Sequence, residues 1–557
     1  MARQASSPVK FNRSLRSDNS VTMTSGRAGK VVPIGYLPLF PGDSASGKVG
    51  IDVQLAEMPR PILNAVTANL QAWFVPKSAH PQFASREELQ SAWTGDVIKT
   101  LGYADRTPPP YFYTVTAATR DTVLASEFYK ALGIHCGATG SINADLIDAF
   151  SLIYNFRLAA HSSRLTRRKY LSESAALATV LPPAFWPSAR FANVVPDYEK
   201  ALVVGSLDLD VIAGRLPVSG IGWDTSDTTG VTTPSLSGRE ATNVAVAYAA
   251  SVKQNAAGVN AGLLTRAVGT GASLRADVWA EMAGQALSVS LNDLDKARTT
   301  QAFAKMRAAY NGNDTTGFGN DDSIVAMMMQ GLSVPPDDYK RPWLLDSKRV
   351  PVGFAERFAT DGASLSNSVT LGRAAASLSI NVPEQQVGGM IIFTVEVLPE
   401  RLDERMQDEY LIAAIPNDLP NALRDIQRVE PVDLVLNRRI DAKHTVPAGL
   451  YGYEPMNDKW NRNFTRLGGA FYQATPGAPY SQQRAAIWQT DLVDPAFGTS
   501  HYLAPVTFPH LVFSDTLAAA FEVVCRHSVR IAGLTQIGDV LAENSDDFLA
   551  VTTEGIL

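Results

Sequence analysis

Gly42, Gly47 and Lys48, in the stretch "FPGDSASGKVGIDVQL" (residues 40 to 55), stand at the spacing of a phosphate-binding loop, G-x-x-x-x-G-K-[ST]. That chemistry needs backbone N–H groups around the phosphates, a lysine on the terminal phosphates and a hydroxyl on Mg²⁺. Position 49 is Val, which cannot ligate a hard cation. Upstream, Pro33, Pro38 and Pro41 each remove a donor that a central strand would use. Downstream, Val49, Ile51, Val53 and Leu55 alternate with Gly50, Asp52, Gln54 and Ala56, the period of a half-buried strand and not of the helix a phosphate would meet. The stretch is expected to be a turn feeding a strand, with no nucleotide bound.

Other chemistry is sparse. His135-Cys136 and Cys525-x-His527 lack the spacing of a zinc finger and read as buried thiols with polar neighbours. The seven histidines, at 80, 135, 161, 444, 501, 510 and 527, are scattered singly, and there is neither a G-x-S-x-G elbow nor an H-E-x-x-H pair. The expectation is a protein with no catalytic residues, no metal and no cofactor. Two cysteines exclude a disulfide framework and suit a reducing cytoplasm.

Positive charge is the remaining candidate. The first thirty residues hold Arg3, Lys10, Arg13, Arg16, Arg27 and Lys30 against Asp18 alone, a net +5 on a chain whose overall charge is −6. Such an arm either contacts nucleic acid or is a solvated tail. "FRLAAHSSRLTRRKY", residues 156 to 170, has five basic residues and no carboxylate. A helix continuing through it would put Arg157, His161, Arg164 and Arg168 on one face, flanked by Arg167 and Lys169, with Phe156 and Tyr170 as rings for unpaired bases. The competing reading is a solvated helix face, or arginines paired with carboxylates of a neighbouring subunit.

The elements that must position these residues come from both ends of the chain. Strand periodicity marks 49 to 58, 64 to 75, 390 to 398 and 521 to 531. Between them lie helical signals: a capping box at Ser85 and Glu88 opens a helix through Leu89, Trp93, Val97 and Leu101 to Gly102. A second begins near Asn143, a third runs from Ser290 through Tyr310, and a short one holds Met327, Met328 and Met329 as core filler. Within 221 to 240, eleven of twenty residues are Gly, Ser or Thr, a loop composition that makes residues 203 to about 289 an expected outward protrusion. With 557 residues, 45% hydrophobic and 19% charged, the chain can bury a large core, and no apolar run is long enough to span a membrane. The polar N-terminal stretch has no apolar run and is not expected to be a secretory signal.

"GKVVPIGYLPLFPGDSASGKVGIDVQLAEMPRPILNAVTANLQAWFVPKS" resembles the N-terminal strands of Microviridae major capsid proteins, the coats of small circular single-stranded DNA phages. In the expected order, "AFSLIYNFRLAAHSSRL" resembles their helix with an aromatic-Asn pair, here Tyr154 and Asn155. "ARFANVVPDYEKALV" is similar to their Asp-Tyr segment, "LNDLDKARTTQAFAKMRAAY" to their internal helix, and "MIIFTVEVLPE" with "YGYEPMNDKWN" to their late strands. The resemblance spans roughly residues 10 to 540. It implies a mainly β fold: an eight-stranded antiparallel jelly roll of viral capsid type with large helical and loop insertions. In that scheme residues 1–30 are a basic N-terminal arm. Residues 31–557 are a single capsid domain, with helical insertions about 85–200 and 290–345 and the protrusion about 203–289.

The implied function is structural: a self-assembling T=1 icosahedral shell enclosing the circular genome, located in the virion and assembled in the bacterial host cytoplasm. Implied partners are further copies of the chain in pentamers, the packaged single-stranded DNA, a host surface receptor, and minor virion proteins such as a DNA pilot protein, a small basic internal protein or a spike. Arg3, Lys10, Arg13, Arg16, Arg157, Arg164, Arg167, Arg168 and Lys169 are the expected DNA contacts. A secreted jelly-roll adhesin or carbohydrate-binding protein is the alternative, disfavoured by the missing leader and the basic arm.

Overall fold

Val49, Ile51, Val53 and Leu55 are buried while Gly50 and Gln54 face solvent, so the alternation in the sequence is the alternation of a pleated strand with one covered face. The structure is a computed structural model. It describes residues 12–83, 86–99, 105–135, 140–162, 164–170, 180–187, 191–197, 340–358, 368–403, 405–428, 431–461, 466–472, 486–488 and 494–538. Short stretches at 221–222, 251–254, 261–264, 267–268, 275–279, 296, 298–300 and 330–331 are also described. The chain divides into two compact units, residues 1–200 with 307–557, and residues 201–306.

The larger unit is mainly β. Nine of its strands form two antiparallel sheets: β1 (Ser14–Gly26), β2 (Val32–Leu39), β3 (Asp43–Leu55), β4 (Val66–Pro76), β5 (Trp343–Pro351), β6 (Gly353–Phe358), β7 (Ser368–Gln385), β8 (Gly389–Pro399) and β9 (Phe521–Gly533). One sheet has the order β1-β9-β3-β7-β6 and the other β5-β4-β8-β2. The pairings nest. β1 lies on β9, β2 on β8, β3 on β7 and β4 on β5, so first meets last and the partners close inward along the chain. The covered faces of both sheets share one apolar core, in which the Phe393 ring of β8 lies 5.7 Å from that of His527 on β9.

Helices α1 (Arg86–Thr94), α2 (Ala117–Leu124), α3 (Glu127–Leu132) and α4 (Asp145–His161) fill the insertion after β4. Helix α1 is shorter than the sequence suggests. Gly95 takes a left-handed φ of 78° and its N–H bonds back to the Ser91 carbonyl, which stops the helix before Val97. Ser85 and Leu101 lie outside the described residues. Helix α4 is buried almost all round because it covers sheet β5-β4-β8-β2 from outside. This explains why β8 reads "MIIFTVEVL" without alternation: from Ile391 to Pro399 it is buried on both faces.

The basic arm is in large part a strand. Ser14 to Gly26 pair without a register break along β9, with even-numbered side chains half-buried and odd-numbered ones in solvent. Its inward positions are polar (Arg16, Asp18, Ser20, Thr22), so hydrophobic periodicity gives no signal there. In the smaller unit, 251–254 pairs antiparallel with 261–264, and 275–279 pairs with 267–268 and 221–222. The placement of the expected protrusion, most of the 290–310 helix and Met327–Met329 falls outside the described residues.

The opening stretch is a turn and a strand. Gly42, at φ 87°, turns the chain between β2 and β3, and Lys48 is an exposed mid-strand residue between Ser379 and Ser528. Gly47 is there for close approach: a Cβ would stand 2.3 Å from the Ser528 carbonyl oxygen on β9. Gly47→Ala is therefore expected to lower stability by roughly 1–3 kcal/mol. Lys48→Ala should stay within about 0.5 kcal/mol. Urea midpoints for the two variants check the ordering, and the reverse order would overturn this account of the motif.

Candidate nucleic-acid interface

The proposed cationic stripe requires a helix through residue 168, and α4 ends at His161. Ser162 is extended at φ −163°, and the chain then doubles back. The cause is Asn155, which is fully buried. Its Nδ2 donates to the Arg168 carbonyl at 2.9 Å and to the Tyr170 hydroxyl at 2.8 Å, and its Oδ1 accepts from the Arg168 N–H at 2.8 Å. One side-chain amide thus holds residues 168 to 170 against the helix as a strand neighbour would, satisfying backbone groups that burial would otherwise leave unpaired.

The basic residues are dispersed by this geometry. Arg157 lies on the sheet side, its guanidinium bonded to Glu396 of β8 and 4.1 Å from the Phe185 ring centroid. Its side chain is 11% exposed and that of Glu396 2%, so the pair is a buried one. Arg164 is exposed and pairs with Asp197. Arg167 lies 5.7 Å from the Tyr170 ring centroid, and Arg168 donates through Nη1 to the Val180 carbonyl at 3.0 Å. Lys169 is exposed. Neither expected stacking ring is open: Tyr170 is fully buried, and Phe156 packs edge-on against Trp73 at 6.1 Å.

At the N-terminus, Arg13 pairs with Glu384 at half exposure. Arg16 donates to the fully buried Asp43 at 2.5 Å and to the Thr535 hydroxyl at 2.7 Å, with its guanidinium 4.7 Å from the Phe40 ring. Asp43 also accepts the Phe40 N–H at 2.7 Å, so Arg16 ties the Pro41-Gly42 turn to the end of β9. Arg3 and Lys10 lie outside the described residues, as does Cys136. Of the second Cys/His pair, Cys525 is buried, where desolvation pushes its thiol up to about 12, and His527 Nε2 is 2.8 Å from Asp18 Oδ1. The structure therefore places Arg164, Arg167 and Lys169 at the bend after α4, and Arg13 and Arg16 by Glu384 and Asp43.

A second surface feature had no distinct signature. Helices α5 (Glu409–Ile412) and α6 (Ala422–Ile426), with the 3₁₀ turn Pro416–Asp418 between them, contain no buried residue. Leu411, Leu423 and Ile426 are 79%, 77% and 82% exposed, which is unusual for so many large aliphatic groups in one short segment. The apolar content of "YLIAAIPNDLPNALRDI" was visible in the sequence, but apolar content alone reads equally as core. No family model matches the chain, and no curated protein matches it.

Arg157→Ala should cost about 3 kcal/mol or more, because it strands a buried carboxylate. Lys169→Ala should stay within about 0.5 kcal/mol. Denaturant midpoints separate the two, and equal small effects would mean that Arg157 faces solvent.

Proposed function

We propose that this chain is the shell-forming coat protein of a small single-stranded DNA phage of the Microviridae type, an eight-stranded jelly roll that assembles into a closed T=1 particle around the circular genome. The observation that carries the reading is the nesting of strand pairs. Four nested antiparallel pairs, β1 with β9, β2 with β8, β3 with β7 and β4 with β5, in two sheets are the pairings that the double Greek key of a jelly roll would require, and so support this reading. Strand β6 is a ninth, added at one edge by a hairpin. The inserted material is the second support, since a permanent shell needs large intersubunit surfaces and α5–α6 offer aliphatic groups uncovered in one copy.

The basic residues have a narrower role in this reading than their number suggests. Arg157, Arg16 and Arg168 hold the fold, so of the expected contacts Lys169, Arg164 and Arg13 are the exposed ones among the described residues, with Arg3 and Lys10 as further candidates. No catalytic step is assigned.

The test is sedimentation and negative-stain microscopy of the purified full chain across ionic strength. Closed particles or pentameric precursors are expected, and a monodisperse monomer under every condition would overturn the proposal. Leu411→Arg with Ile426→Arg should block assembly while stability stays within about 1 kcal/mol of wild type, since both are exposed surface sites. For DNA, Lys169→Ala should lower the slope of log K against log salt by about 0.7 if that side chain meets one phosphate.

A further inference from the structure

Lys77 is the only buried lysine among the described residues. It follows directly on β4, in the 3₁₀ turn Lys77–Ala79, and its side chain is 4% exposed. Its Nζ stands 2.5 Å from Oδ2 of Asp145, the first residue of α4, whose side chain is 12% exposed. Aromatic rings close over the amine, with centroids at 4.5 Å for Tyr111, 4.7 Å for Phe112 and 5.9 Å for Phe83. His80, 3% exposed, lies in the same turn region, and its Nδ1 has no hydrogen-bond partner.

This is more than an ion pair needs. An amine and a carboxyl held in hydrogen-bond contact and shielded from water by aromatic walls have the geometry for condensation. Positioning of this kind replaces the cost of bringing the reactants together, and excluding water disfavours the reverse hydrolysis. We propose that Lys77 and Asp145 form an intramolecular isopeptide bond, an amide between Lys77 Nζ and Asp145 Cγ.

The step balances without any co-reactant. The ammonium proton passes along the 2.5 Å hydrogen bond to the carboxylate, giving neutral amine and carboxylic acid. Nζ attacks Cγ, and the C–N bond forms as the carbonyl π pair moves to oxygen. The proton on the attacking nitrogen passes to the hydroxyl, which leaves as water when the C–O bond breaks and the carbonyl re-forms. The surroundings favour the reactive forms: burial lowers the Lys77 pKa against the opposing pull of Asp145, and burial raises that of Asp145 against Lys77. Burial, aided by Lys77, holds His80 well below its ordinary value, so it adds no charge to the site. The product ties the end of β4 to the start of α4 across 68 residues of sequence.

Intact mass measurement of the purified full chain under denaturing conditions tests this directly. Wild type should be lighter than its sequence by one water, and protease digestion should yield a branched peptide joining residues 77 and 145. Lys77→Arg keeps a cation in the cage but supplies no nucleophilic amine, so its mass should equal its sequence. Asp145→Asn should lose ammonia in place of water, because a carboxamide accepts the same attack. Wild type at full mass with no branched peptide overturns the proposal, and so does a water loss that persists in Lys77→Arg. Neither result bears on whether the chain builds a shell.

Discussion

The larger sheet is built around a strand from the far end of the chain: β9 sits between β1 and β3, so residues 521–533 must arrive before 14–26 have any partner in the sheet. The insertions between β4 and β5 and between β8 and β9 are therefore obliged to leave the sandwich and return to it. Closing such connections is thermodynamically mild, since each doubling of a flexible loop adds only about 0.6 kcal/mol. The burden falls on kinetics, because the long-range pairs form only after that closure is met. A single sandwich core can accordingly coexist with insertions longer than its own strands, which is how 557 residues carry so few sheet-forming segments.

One insertion is itself part of the core. Helix α4 covers the outer face of β4 and β8, turning β8 into a strand buried on both sides, and the one carboxylate on that strand, Glu396, then needs a cation. Arg157 supplies it from the last turns of α4. A buried pair of this kind adds little net stability compared with apolar packing, but losing either member is costly. Its contribution is to fix which turn of the helix meets which residue of the strand.

Strands with apolar inward faces were legible: 64–75, 390–398 and 521–531 correspond to β4, β8 and β9 within a few residues, and 49–58 to β3, which however starts at Asp43 and so takes in Gly47 and Lys48, expected in the turn. Strand β1 was not, because its inward side is Arg16, Asp18, Ser20 and Thr22, and an edge strand that pairs through its backbone carries no hydrophobic period. The end of α4 was hidden for another reason. Nothing near Ser162 forbids a helix; the chain turns because Asn155 captures residue 168, a contact between side chain and backbone that periodicity cannot register. The placing of the charges follows the same principle. A window from 156 to 170 contains no carboxylate, yet Arg157 and Arg164 find theirs at 396 and 197, and Arg16 finds its own at 43. Local charge counts measure supply, whereas availability for a ligand depends on partners that only the fold brings near.

The two ends of α4 show how the choice of cation decides what a buried pair can become. Near the C-terminal end, Arg157 meets Glu396; at the N-terminal end, Asp145 meets Lys77. A guanidinium remains charged in almost any protein environment and its nitrogens are not nucleophiles, so the Arg157 pair can only persist or break. A lysine loses its proton when desolvated, and the same burial that makes its ion pair expensive creates an amine beside a carboxyl that burial is also pushing toward neutrality. Both fastenings hold the covering helix to the same sheet, one through β8 and the other through the residue that follows β4. With Lys77 at one of them, the desolvation that weakens an ion pair becomes the condition for replacing it with a bond that desolvation does not weaken.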